Sequence, residues 1–197
     1  MTCIDPIVFA SIGTLLVISS AIISGFYISN IERTISQVEN EITDTSRMLD
    51  AAHEAITRSH QHYSPAEIKL LIIQFSGSHM DNSVVLHDIG RGILQGILER
   101  CSAATGEGPS QEKFREWEAI AKRSGEGDRA AYSELSDISS SLLAQWAERH
   151  KGLALIRDQC LKKSESLKMK TVHSRYISVT LQILGLIMVL LKDVVST

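Results

Sequence analysis

Hydrophobic residues are concentrated in two uncharged runs that bracket a long hydrophilic stretch. The first run extends from Ile7 to Ile28 and the second from Tyr176 to Leu191, with Val194 and Val195 close behind. A helix needs about 20 apolar residues to cross a hydrocarbon core of about 30 Å. The pattern therefore predicts transmembrane helices at residues 7–28 and 176–195.

Beyond the first run, apolar positions recur in alternating steps of three and four residues. These positions are Ile31, Ile35, Val38, Ile42, Leu49, Ala52 and Ile56, with Thr45 completing the series. The spacing is typical of a coiled-coil seam. Because no Gly or Pro occurs between Ile28 and Tyr63, we expect one continuous helix that leaves the first span and forms a stalk at residues 29–62.

The next segment opens with a helix-start signal. Ser64-Pro65-Ala66-Glu67 matches a capping box with proline at the first helical position. It predicts a new helix over about residues 65–101, although Ser76-Gly77-Ser78 interrupts the apolar pattern and weakens or ends the helix there.

Two glycine-containing loops divide the remaining central region. They predict a short amphipathic helix at residues 110–123, and Asp128 has the side chain of an N-cap for the last helix. That helix, residues 128–175, runs without a breaker into the second span. The predicted fold is all-α: a membrane-rooted antiparallel helical hairpin with two transmembrane helices and a cytosolic coiled-coil or helical-bundle region at residues 29–175.

Composition agrees with long helices, because the 197 residues include only three prolines and 5% aromatic residues. The net charge of −3 gives no signal of nucleic-acid binding. Three cysteines without a CxxC spacing, two of them in the central region, indicate no disulfide framework.

Lysine and arginine distribution predicts the orientation of the spans. The basic residues near the inner ends of the spans are Arg33, Lys162, Lys163, Lys168, Lys170 and Arg175, whereas no Lys or Arg precedes the first span. By the positive-inside rule the central region is cytoplasmic and both termini lie outside, in a cell inner membrane. The basic stretch from Lys162 to Arg175 is also expected to contact anionic lipid headgroups.

Both spans contain small or polar residues that suit helix packing in lipid. These are Ala10, Thr14, Ser20, Ala21, Ser24 and Gly25 in the first span, and Gln182 and Gly185 in the second. Small residues four apart let helix backbones approach closely, and a Gln amide seeks a partner in lipid. Two interpretations stay open: the spans pack on each other, or they drive homo-oligomerisation.

Signals of enzyme chemistry are weak. His87-Asp88 resembles part of an HD-type hydrolase site, Arg47 with His53 resembles the ribonuclease motif of HEPN domains, and Gly90-Arg91-Gly92 with Gly96 resembles a phosphate-binding loop. The hydrolase and phosphate-loop patterns lack the rest of their motifs, and the seven histidines follow no zinc spacing. An Arg–His pair like Arg47 with His53 also occurs at Arg58 and His62. Solvated histidines, a solvated stalk face and close helix packing explain them more simply. We therefore predict no enzyme activity, metal or cofactor.

The layout of two terminal spans around a helical region resembles the small two-transmembrane effectors of bacterial antiphage systems, such as those paired with retrons. The resemblance implies an oligomerising effector or toxin that perturbs the inner membrane when its cytosolic helices are triggered. The lipid bilayer, further copies of the chain and a cytosolic protein are then its partners. A membrane-anchored scaffold is one alternative. The other is a sensor, whose four-helix region lies between two spans as in a chemoreceptor.

Overall fold

The computed structural model describes residues 6–76 and 83–195. The helices are α1 (Pro6–Ile22), a π-helical turn (Ile23–Ile28), α2 (Ser29–Ser76), α3 (Ser83–Thr105), α4 (Gln111–Gly125) and α5 (Arg129–Val195). In the described part of the chain only the loops 106–110 and 126–128 are non-helical, and no strand occurs. The all-α class is confirmed.

The helices are divided between two compact units. The first comprises Met1–Thr43 and Asp158–Thr197, and the second comprises Asp44–Arg157. The boundaries fall inside α2 and α5, so each of these helices contributes residues to both units.

Helix α3 supplies the centre of the hydrophobic core in the second unit. Ile89, Ile93 and Ile97 follow one another at four-residue steps and are at most 1% exposed. Around them pack apolar side chains from the other helices: Tyr63 and Leu70 of α2, Trp117 and Ile120 of α4, and Leu135 and Leu142 of α5, with Trp146 half-buried at the margin. Burying one such aliphatic side chain stabilises the fold by about 1.5–3 kcal/mol.

Glycines on α3 allow its neighbours to approach closely. A Cβ atom on Gly96 would lie 2.7 Å from Cβ of Tyr63, and one on Gly90 would lie 2.7 Å from the carbonyl oxygen of Ala121. Gly92 similarly faces Ala66. The packing explanation for these glycines is confirmed, and the phosphate-loop resemblance fails because all three lie inside a helix.

The helix start predicted at Ser64-Pro65 is wrong. Helix α2 continues through Pro65 to Ser76, so the predicted stalk at 29–62 and the first part of the predicted helix at 65–101 form one helix. Ala66 and Leu70 are buried in the same core as Tyr63. This continuous apolar face on both sides of the proline explains why tertiary packing overrides the capping signal.

The predicted cap of the last helix is confirmed, and the short helix before it is capped as well. Ser110 caps α4, its hydroxyl accepting a hydrogen bond from the backbone N–H of Lys113 at 3.3 Å. Asp128 caps α5, one carboxylate oxygen accepting from the N–H groups of Ala130 (2.9 Å) and Ala131 (3.3 Å). The last helix then runs without interruption to Val195, as its sequence predicts.

The position of Pro65 generates a stability prediction. Proline inside a helix removes a backbone hydrogen bond and clashes with the preceding turn, at a cost of about 3 kcal/mol. We expect Pro65→Ala to raise the free energy of unfolding by about 1–3 kcal/mol, measured by denaturant titration of the purified protein in detergent. Pro109→Ala, in the loop before α4, is the control and is expected to give no such gain. A neutral or destabilising Pro65→Ala would indicate a helix that begins at this residue.

Candidate functional site

In the first unit, the N-terminal helical segment packs against the C-terminal part of α5. Gly13 meets Gly185, Ser20 meets Ser178, and Glu39 meets Lys168. The residue number falls on one segment as it rises on the other, so the two segments are antiparallel. We call this contact the small-residue seam, because glycine and serine form its closest points.

The two glycines form the tightest contact of the seam. A Cβ atom on Gly13 would lie 2.7 Å from the carbonyl oxygen of Gly185, and a Cβ on Gly185 would lie equally close to the carbonyl of Gly13. Val17 and Val189 pack beside them, their Cγ2 atoms 2.8 Å from the added carbons. No larger residue fits at either position without separating the helices, which is the usual reason for glycine in membrane helix pairs.

A cluster of three serine hydroxyls lies two to three helical turns further along. The Ser178 hydroxyl oxygen lies 3.0 Å from that of Ser20 and 2.7 Å from that of Ser24, and it also donates to the Ser20 carbonyl at 3.1 Å. Because a hydroxyl carries one hydrogen and two lone pairs, Ser178 can donate to this carbonyl while accepting from both serines. Ser24 belongs to the π-helical turn, where a Ser-Gly pair interrupts regular α-helical geometry.

Beyond the serine cluster, the N-terminal segment buries aliphatic side chains and the facing part of α5 buries serine and threonine side chains. Ile28, Ile31 and Val38 are buried, and so are Ser164, Thr171, Ser174 and Ser178 of α5. Small hydroxyl-bearing side chains leave room for the larger isoleucines. The predicted heptad positions from Ile31 to Ile56 are all buried or half-buried, as expected for one inward face of a helix.

Only some of the predicted packing residues lie in this contact. Ser20, Ser24 and Gly185 do, and Ala10 is half-buried. The outward-facing residues are Thr14, Ala21, Gly25 and Gln182. A Cβ atom added to Gly25 would meet nothing of the facing segment within 4 Å, and the Thr14 hydroxyl donates to the Ala10 carbonyl of its own helix at 2.8 Å.

Two residues of the seam, Gly13 and Ser178, were not among the predicted packing residues. Gly13 does not complete any of the four-residue pairs in its own span. Ser178 lies near the start of the second predicted span, three residues after Arg175, which is the last charged residue before that span. Its seven-residue distance from Gly185, two helical turns, is the sequence signal that places both on one face.

Charged residues continue the contact beyond the seam. Arg175 pairs with Glu32, and Lys168 pairs with Glu39 at 2.8 Å. All four side chains are about half exposed, so each pair stabilises the contact by at most about 1 kcal/mol. The other predicted juxtamembrane residues, Lys162, Lys163 and Lys170, are exposed and make no ion pair with any residue that the structure describes.

Large apolar side chains of the first unit face outward. Examples are Leu15, Phe26, Tyr176 and Leu190, which are 63–82% exposed. Two helical stretches, Ala10–Ile72 and Arg129–Leu191, contain a segment long and apolar enough to cross a membrane, judged by length and composition. Only 17% of each segment is buried, so neither behaves as the core helix of a soluble domain.

Arg100 of the second unit is a buried cation that is 5% exposed. Its guanidinium donates to the hydroxyls of Ser59 (2.8 Å) and Ser139 and lies 4.2 Å from the ring centre of Tyr63. Burial lowers the pKa of Arg100 from its ordinary value. The site therefore links α2, α3 and α5 through a polar contact inside an apolar core.

The residues considered for enzyme chemistry are not assembled into a site. Arg47 is exposed and pairs with Asp44 at 3.5 Å, and His53, His87 and Asp88 are also exposed. Within residues 6–76 and 83–195, no three potential metal ligands cluster together. His79 and Asp81, which cluster with His87 and Asp88 in the sequence as further potential metal ligands, lie outside the described residues.

No protein-family model, curated protein or solved structure matches this chain.

The glycine contact generates a packing prediction. The three natural cysteines are first removed by Cys3→Ser, Cys101→Ala and Cys160→Ser. In this background we expect the pair Ser20→Cys and Ser178→Cys to form a disulfide on mild oxidation, because the hydroxyl oxygens of the two natural serines are 3.0 Å apart. Adding Gly185→Val is expected to reduce this disulfide at least fivefold on non-reducing gels. Gly25→Val is the matched control and is expected to leave the disulfide unchanged, since its side chain would point away from the facing segment. Equal yields in the two variants would contradict the seam.

Proposed function

We propose that this chain is an integral membrane protein whose two apolar segments cross the bilayer together, oligomerise and perturb the bacterial inner membrane. The observation that carries the proposal is the outward-facing apolar surface of the first unit, with 17% of each spanning segment buried. Exposing so many large apolar side chains to water is unfavourable, whereas hydrocarbon accommodates them.

Three exposed aromatic residues at one end of the apolar segments support the position of one membrane boundary. Phe26, Tyr27 and Tyr176 are 54–82% exposed, and the first charges of the antiparallel pair, Glu32 and Arg175, follow within a few residues. Tyrosine is enriched at membrane interfaces, where its ring is apolar and its hydroxyl is hydrated. From Tyr27 back to Ile7 and from Tyr176 on to Val195, a helix covers about 30 Å, the thickness of a hydrocarbon core.

The orientation proposed for the spans follows from the exposed basic residues. Lys162, Lys163 and Lys170 remain available to headgroups on the side of the central region, each contributing about 1 kcal/mol near an anionic surface. Arg175 and Lys168 contribute less, because Glu32 and Glu39 neutralise them locally. This asymmetry supports a cytoplasmic central region and external termini.

Topology is tested by thiol labelling in intact bacteria. Cys101 is a poor reporter because it is 5% exposed and burial raises the pKa of its thiol, so little reactive thiolate forms. Cys101→Ala and Cys160→Ser therefore remove the two natural cysteines of the central region, and Ser140→Cys introduces a reporter thiol at an exposed position. An impermeant maleimide is expected to label Cys3 in intact cells and to label position 140 only after lysis. Labelling of position 140 in intact cells would favour the sensor, whose helical region is external. Recovery of the protein in the supernatant after a carbonate wash would exclude the effector, the sensor and the membrane-anchored scaffold.

Oligomerisation is supported by the polar and small residues that the seam leaves outward. Gln182 is exposed on a face that we propose lies in lipid, where its amide seeks another polar group. Thr14, Ala21 and Gly25 form a second outward surface of small side chains. A second copy of the chain can supply both the amide partner and a close helix contact.

The oligomer prediction concerns Gln182. An amide hydrogen bond between membrane helices contributes about 1–2 kcal/mol, so we expect Gln182→Leu to weaken self-association roughly 5–30-fold. The measurement is energy transfer between labelled copies at a series of protein-to-lipid ratios. Thr180→Val is the control, because the Thr180 hydroxyl already donates to the Tyr176 carbonyl of its own helix at 2.9 Å. An equal effect of both variants would contradict a specific role of the amide.

Membrane perturbation is tested with a potential-sensitive dye during induced expression. We expect rapid depolarisation with the natural chain and at least fivefold slower depolarisation with Gln182→Leu at the same membrane level. An unchanged potential with confirmed membrane insertion would exclude an autonomous effector and leave the scaffold as the better proposal. The exposed apolar residues Ile68, Leu71 and Ile72 of α2 are the specific observation that favours such a scaffold, since a protein partner can cover them.

A further inference from the structure

We infer that a groove between α3 and α4 of the second unit binds a nucleoside phosphate. The groove has a volume of about 580 Å³, within the range of small-molecule sites. Arg91 of α3 and Arg115 and Lys122 of α4 line it, with Leu94 and Ala121 among its apolar residues. This inference does not rest on the membrane proposal, because it concerns the second unit alone.

The groove walls are held by backbone contact. A Cβ atom on Gly90 would lie 2.7 Å from the Ala121 carbonyl, and one on Gly125 would lie 3.0 Å from the Leu86 carbonyl. Because α3 and α4 touch at these two points, the helices that carry the cations are held at a fixed separation. The cations are therefore presented on a preformed framework, which reduces the entropic cost of binding.

The charge balance of the groove favours an anion. None of Arg91, Arg115 and Lys122 forms an ion pair with any residue in the described ranges. Two carboxylates line the site, Glu118 in this groove and Asp88 in the adjoining depression, so the three cations exceed them by one charge. Three cations that line one groove can together neutralise a multivalent anion. Guanidinium groups match phosphate oxygens in bidentate geometry, and lysine adds a point charge.

An adjoining depression of about 550 Å³ can hold the base of the nucleotide. Arg91 and Leu94 line both depressions, and Gln95, Leu98 and Phe114 line the second. The half-buried Phe114 ring and Leu98 offer an apolar contact for a flat heteroaromatic base. The Gln95 amide can both donate and accept at the edge of such a base. Phosphates at the cations and a base beside Phe114 together describe a nucleotide.

Binding is tested on the full chain purified in detergent, by calorimetry with the four ribonucleoside triphosphates, adenosine and tripolyphosphate. We expect at least one triphosphate to bind ten times more tightly than either fragment, and its affinity to fall with added salt. Arg115→Ala and Lys122→Ala are each expected to weaken it about tenfold. Lys113→Ala is the matched control, since two residues correspond to about 200° of helix rotation and place Lys113 on the other side of α4 from Arg115.

The base contact has its own variant. Phe114→Leu is expected to weaken the nucleoside triphosphate several-fold and to leave tripolyphosphate binding unchanged. The inference is overturned if no triphosphate binds, if tripolyphosphate binds as tightly as the best nucleotide, or if Lys113→Ala weakens binding as much as Arg115→Ala. Arg115 and Lys122 are exposed on a helix that alanine favours, so folding of the variants is checked by circular dichroism. Depolarisation without nucleotide binding would leave the proposed function standing, and binding without depolarisation would leave this site standing.

Discussion

Contact between small residues determines the character of the first unit. Because Gly13 meets Gly185 and Ser178 meets Ser20, the two antiparallel segments use their smallest side chains to hold each other. Most of the large aliphatic and aromatic side chains of residues 7–27 and 176–191 then lie on the outside. In water this arrangement would be inverted, with large apolar residues inside and small polar ones outside. The same contact thus explains both the packing within the pair and the apolar character of its outer surface.

The second unit follows the ordinary rule for water-soluble helices. Its core is built from Ile89, Ile93 and Ile97 and their neighbours, whereas exposed positions carry most of the charge. Arg100 is the exception, and its hydroxyl and aromatic partners come from two other helices. Removing either hydroxyl would leave a buried charge with fewer partners, so this contact limits how α2, α3 and α5 can pack. One chain therefore contains two units that obey opposite rules of burial.

Much of the fold could be predicted from periodicity and capping. Local patterns with a direct physical cause predict the inward-facing positions from Ile31 to Ile56, the Asp128 cap and the uninterrupted last helix. The boundary at Pro65 could not, because the apolar face shared by Tyr63, Ala66 and Leu70 only acquires its partners in the folded unit. The seam was predicted only in part. In a helical segment with apolar residues on every face, composition cannot indicate which side meets the other helix, so Ser20 and Gly185 were indistinguishable from Ala21 and Gln182.

The two tryptophans have a practical consequence. Trp117 and Trp146 both belong to the second unit, where Trp117 lies in the core and Trp146 is half-buried against it. Indole emission therefore reports on that unit alone, whereas far-ultraviolet dichroism reports on both. A denaturation experiment that records the two signals together can resolve whether the units lose their structure in one cooperative step or in succession, without any added label.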